Sequence, residues 1–119
     1  MTKVKAIYFQ SGSICERIQK NAFDATEGRT ELNFSSYDGV LENIYLPDTV
    51  KHIEDYAFAG LLKLTNIDIR KEGRLPENII SIGGYAFAWT QAKISSFGES
   101  LVSIGSRAFM HDNNLILLD

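Results

Sequence analysis

Four copies of Ile-x-x-x-Ala-Phe punctuate the chain: Ile18 to Ala22-Phe23, Ile53 to Ala57-Phe58, Ile82 to Ala86-Phe87 and Ile104 to Ala108-Phe109. Their phenylalanines lie 35, 29 and 22 residues apart, yet the flanks share one register. Seven residues before the last three isoleucines stand Leu46, Leu75 and Phe97, and three residues before them Val50, Ile79 and Leu101. Beyond Phe58 come Leu64, Ile67 and Ile69, and beyond Phe109 come Leu115 and Leu118. Leu41, Ile44 and Leu46 show the same Leu-x-x-Ile-x-Leu spacing. The unit is therefore about 22–23 residues. The wider spacings are one unit plus insertions near 24–40 and 70–74, which carry Gly28, Gly39 and Gly73 among polar residues.

A unit of this length cannot bury a core alone, but stacked on copies of itself it buries a continuous column. Leu-x-x-Ile-x-Leu predicts a bend and then a short strand with its last two apolar side chains on one face. Val-x-x-Ile predicts a second short inward segment, and Ala-Phe a tight turn between the two. Five strand sites follow, at 6–11, 41–46, 64–69, 92–97 and 115–118. Parallel strands at roughly 4.8 Å then give a stack on the order of 20 Å long. Pro47 and Pro76 each follow a strand residue, where a ladder is ending. In the first strand Ala6, Phe9 and Ser11 take the apolar places, and Gly12 stands where later repeats have proline. In the fourth, Ala92 and Ser95 are small and the unit is one residue short, which turns Ile94 inward.

Composition narrows the function classes. The chain has 119 residues, 45% hydrophobic and 23% charged, which is ordinary for one globular domain spanning 1–119. A net charge of −3 disfavours a phosphate-backbone partner, so no nucleic acid is expected. No apolar run approaches the roughly 20 residues of a membrane span, so no membrane insertion is expected. One cysteine, Cys15, allows neither an internal disulfide nor a cysteine zinc cluster. The basic start, Met-Thr-Lys-Val-Lys, lacks an apolar signal-peptide core. Either the protein is made without a signal or the chain is part of a longer one.

Leu-x-x-Ile-x-Leu-Pro-x-x-Val-x-x-Ile-x-x-x-Ala-Phe at this period resembles the BspA-like, or Treponema pallidum-type, leucine-rich repeat. Residues 41–58 and 64–87 carry the likeness best, with Gly83 and Gly105 after the second isoleucine. The position two after each Phe holds Ala25, Gly60, Trp89 and His111 rather than the Cys or small residue common in the family. The resemblance implies an α/β leucine-rich repeat solenoid, right-handed, of about four to five coils of 22–23 residues. It also implies short parallel strands, tight turns and little helix. For function it implies a non-enzymatic module binding protein or glycan on a host or microbial surface, as part of a secreted or cell-surface bacterial adhesin. Phage receptor-binding proteins, accessory domains beside enzymes and plain spacers use similar repeats.

The framework Ile and Phe residues are core positions rather than a binding motif. Outward strand residues are the better candidates. Gln10, Tyr45, Asp68 and Ser96 fall between inward apolar positions, with Asp119 in line if the last strand keeps its register, and Tyr8, Asn43, Asn66, Ile94 and Leu117 lie two residues earlier. Stacking turns each series into a column mixing rings, amides and carboxylates, which suits a protein or glycan ligand. The alternative is a solvated sheet face. Phe34 and Tyr37 lie among Ser and Asn in the long insertion, as in a recognition loop. Alternatively, Leu32 and Phe34 tuck that insertion onto the stack. Trp89 is read either as an anchor or, with greater weight, as packing on the adjacent coil, and Cys15, in the place of Val50 and Ile79, as a small core residue.

Chemistry finds little to work with. His52 sits beside an inward isoleucine, and Glu54 and Asp55 point apart if that segment is extended. Two histidines cannot build a convincing metal set, and no phosphate loop or nucleophile elbow is present. No cofactor is expected. The final Leu115-Ile-Leu-Leu-Asp119 falls within a repeat. Repeats are therefore expected to continue beyond it, or the bare edge to drive end-to-end self-association.

Overall fold

A computed structural model of the chain describes residues 6–9, 12–26, 40–67, 75–94 and 97–112. Among these residues there are six short strands and no helix: β1 (Ala6–Tyr8), β2 (Arg17–Ile18), β3 (Asn43–Tyr45), β4 (His52–Ile53), β5 (Ser81–Ile82) and β6 (Ser103–Ile104). Every pairing is parallel. One sheet has the order β1-β3 and is extended by a bridge from Asn43 to Asn66. The other has the order β2-β4-β5-β6, and its register aligns Ile18, Ile53, Ile82 and Ile104. Both apolar segments of the repeat thus become ladders. The Val-x-x-Ile segment builds the larger sheet.

The Ala-Phe turns form a third ladder without being strands. Phe23, Phe58 and Phe87 donate their N–H groups to the carbonyls of Ala57, Ala86 and Ala108 at 2.7–2.8 Å. Within each turn, Ala57 donates to Glu54 and Ala59 to Tyr56, and Ala86 and Ala88 repeat this with Gly83 and Tyr85. These one-turn bonds never grow into a helix, because the residue before each Ala-Phe is left-handed. Asn21, Tyr56, Tyr85 and Arg107 have φ of 57–62°. A second left-handed residue, Gly60, Trp89 or His111, follows two positions after three of the phenylalanines. The expected α/β class with little helix therefore resolves, in the described residues, into parallel strands joined by paired tight turns.

The phenylalanines form a column through the core. Rings of Phe23 and Phe58 are 5.4 Å apart, Phe58 and Phe87 5.2 Å, and Phe87 and Phe109 5.4 Å, all stacked. That rise is close to the spacing of paired strands, so each ring adds its layer in step with the ladders. Ile44, Val50, Ile53, Phe58, Leu64, Leu75, Ile82 and Phe87 are buried around it. Gly83 and Gly105 let consecutive repeats approach: a Cβ on Gly105 would lie 2.4 Å from the Gly84 nitrogen. The turns after Leu46 and Leu75 are also linked between repeats. Thr49 Oγ1 donates to the Cys15 carbonyl at 2.6 Å, and Asn78 Nδ2 to the Asp48 carbonyl at 2.9 Å.

Several expectations change. β1 pairs Ile7 with Ile44 and Tyr8 with Tyr45, two residues away from the predicted register. The first repeat has two extra residues between its strand and Ile18. Gly12, within that stretch, has a φ of +85°. Ile94 is buried, which fits the inward turn of the short unit and removes it from the outward column. Residues 92–94 form no strand, although Gln91 and Lys93 still donate to the Leu64 and Thr65 carbonyls. Cys15 is half-buried against the core rather than buried in it. The predicted strand at 115–118 and most of both insertions lie outside the described residues. The two edges of the larger sheet differ: Ile18 is 4% exposed, whereas Ile104 is 45% and its neighbour Val102 80% exposed.

Candidate functional site

The outward face of the smaller sheet collects the described candidates. Ile44 and Leu46 point inward, so Asn43 and Tyr45 between and beside them point out. Parallel pairing in register places Tyr8 against Tyr45, with ring centroids 4.6 Å apart and planes tilted by 32°. Tyr8 was expected in the Asn43 column. The two-residue shift moves it beside Tyr45, where Gln10 was expected, and puts Ala6 next to Asn43. Asn66 stands in the column as predicted, and its Nδ2 donates to Asn43 Oδ1 at 2.6 Å. The face therefore carries a ring pair next to an amide pair. Tyr8 is 65% exposed. Partial burial raises the Tyr45 phenol above the usual tyrosine value, and its neighbour Tyr8 adds to the effect. Gln10, Asp68, Ser96, Phe34 and Tyr37 lie outside the described residues.

The other side chains singled out in the sequence are occupied. His52 Nδ1 is 2.8 Å from Ser81 Oγ across the β4–β5 pair. Glu54 pairs with Arg17 and accepts the Lys20 N–H at 3.1 Å. The Arg17 hydrogen bond holds the Glu54 carboxyl below the usual glutamate value. Asp55 accepts the Gly84 N–H at 2.8 Å. His52, Glu54 and Asp55 thus face three different partners. Trp89 is buried, stacked between Tyr85 at 5.8 Å and His111 at 6.2 Å and packed with Leu62 and Met110. This is the packing role weighed above the anchor.

Sequence reasoning missed a shallow groove of about 400 Å³ over the larger sheet, lined by Lys20, Asp55, Ser81, Gly83, Ser103 and Gly105 among others. It opens because outward residues shrink from repeat to repeat. His52 gives way to Ser81 and Ser103 in the register of the sheet, while Gly83 and Gly105, in the place of Glu54 two positions later, sit where the neighbouring repeat's backbone leaves no room for a Cβ. That signal is readable in the aligned repeats. It was passed over because small residues suggest packing rather than a site. Among the described residues, no cluster of His, Cys, Asp and Glu could hold a metal ion, and no helix is long and apolar enough to cross a membrane.

Parallel ladders repeating with the sequence motif define a repeat protein of the leucine-rich kind. More narrowly, the family described as the BspA type leucine rich repeat region, in six copies, matches residues 34–118, and the chain belongs to that family. Residues 6–26 precede the match, yet β1 and β2 pair in register with the repeat that follows. No curated protein and no solved structure matches the chain.

Proposed function

We propose that this chain is a non-enzymatic binding module, a right-handed solenoid of four to five coils, in a secreted or surface-exposed bacterial adhesin. Its partner is a protein or glycan displayed on a host or microbial surface. Membership of a repeat family supports the binding role, since such repeats act as scaffolds for what they display. The observation that carries the reading is the outward ring pair Tyr8–Tyr45 beside the amide pair Asn43–Asn66. Rings supply contact area at low entropic cost, and amides supply orientation. Two of the charged side chains outside this face are committed to structural partners, Glu54 to Arg17 and Asp55 to Gly84.

The test is binding of the labelled chain to epithelial cells with their matrix and to a panel of bacteria, beside a Tyr45→Ala/Asn66→Ala variant. The expected outcome is saturable binding that falls at least tenfold in the variant. Saturable binding that the variant retains in full would place the site elsewhere.

A further inference from the structure

We infer that the ligand of the strand face is an oligosaccharide. This rests on the binding-module reading above and narrows it. Three features of the face carry it.

The first is the open ring. Tyr8 lies against Tyr45 on one side and is still 65% exposed, so its other side is presented to solvent. The C–H face of a pyranose fits such a ring, because it is apolar while its rim is polar. The second is the set of free amide valences. The Asn66 to Asn43 hydrogen bond uses one N–H of Asn66 and one lone pair of Asn43. Among the described residues, both N–H groups of Asn43 and the carbonyl oxygen of Asn66 then have no side-chain hydrogen bond. A sugar hydroxyl both donates and accepts, and this pair offers both roles side by side. Tyr45 and Asn43 are two residues apart on one strand, which is about 7 Å. A sugar ring stacked at Tyr8 can therefore reach the amides with its own or its neighbour's hydroxyls.

The third is the pairing of the strands. A peptide adding a strand would need an unpaired backbone at the amides, but β3 is bonded to β1 on one side and to Asn66 on the other. The surface offers one open ring beside an amide pair, which matches the alternation of apolar faces and hydroxyls along a glycan.

The experiment is binding of the fluorescently labelled full chain to immobilised lactose, maltotriose, mannotriose and chitotriose, beside their sialylated or sulfated counterparts and a matrix-protein surface. Tyr8→Ala and Asn43→Leu are run in parallel, with Ser103→Ala on the other sheet as a control and thermal unfolding as a check on the fold. The inference predicts saturable binding to at least one of these sugars, neutral or acidic. That binding falls at least tenfold in Tyr8→Ala and in Asn43→Leu, and stays intact in Ser103→Ala. Binding to matrix protein alone, lost in Tyr8→Ala, would overturn the glycan assignment and leave the binding-module reading standing. Binding to none of these surfaces would count against both.

Discussion

Gly105 and Gly12 are glycines for different reasons, and the difference can be measured. At Gly105 the constraint is contact, since a Cβ would strike the backbone of Gly83 and Gly84 at 2.7 and 2.4 Å. Gly105→Ala should cost about 1–3 kcal/mol, as overpacking does, and Gly105→Asn no less. At Gly12 nothing lies within 4 Å, and the constraint is the φ of +85° alone. Asparagine tolerates that region, so Gly12→Asn should be nearly neutral in chemical denaturation. A large loss at Gly12 and none at Gly105 would reverse this assignment. Glu54 gives a pH-dependent counterpart. Arg17 holds its carboxyl below the usual value. The stabilisation is therefore fully present above the glutamate pKa of the unfolded chain and is lost as pH falls through the lower folded value. In Arg17→Ala, an NMR titration should find Glu54 back near the ordinary glutamate range. An unmoved midpoint would mean that Arg17 is not the cause. At this scale the framework was legible because Ile and Phe recur at fixed offsets. The register of β1 was not. Val4-x-x-Ile7-x-Phe9 and Ala6-x-x-Phe9-x-Ser11 both fit the spacing, and only the pairing of Ile7 with Ile44 separates them.

The turn with its phenylalanine is the element that sets the pitch of the stack. Its left-handed residues stop any helix after one turn, and its N–H groups reach the next repeat. Phe58 is fully buried between Phe23 and Phe87, whereas Phe109 is only half-buried beside β6. Phe58→Ala should therefore cost about 3–5 kcal/mol and Phe109→Ala clearly less, both read from urea unfolding. Equal losses would mean that the column is not the organising contact. The sequence showed where these turns fall but not their backbone. Tyr85, Trp89 and Arg107 give no hint of positive φ, which arises from the ladder bonds around them. Gly60 advertised it, and Asn21 and His111 did so more weakly.

At the scale of the whole molecule, inward side chains build the stack and outward ones decide what it meets. The strand face was legible in part. Columns at the repeat period picked out Asn43, Tyr45 and Asn66, while Tyr8 fell into the neighbouring column because two extra residues in the first repeat carry no compositional mark. The groove over the larger sheet was legible only by subtraction, through the small Ser81 and Ser103 in the place of His52. The separation of core from face is the central claim, and one paired measurement tests it most directly. Tyr8, Asn43, Tyr45 and Asn66 would all be changed to Ala, and binding to cell, matrix and glycan surfaces recorded beside thermal unfolding. The account predicts binding reduced at least tenfold, with an unfolding transition that remains single and cooperative. Undiminished binding with all four side chains removed would contradict it.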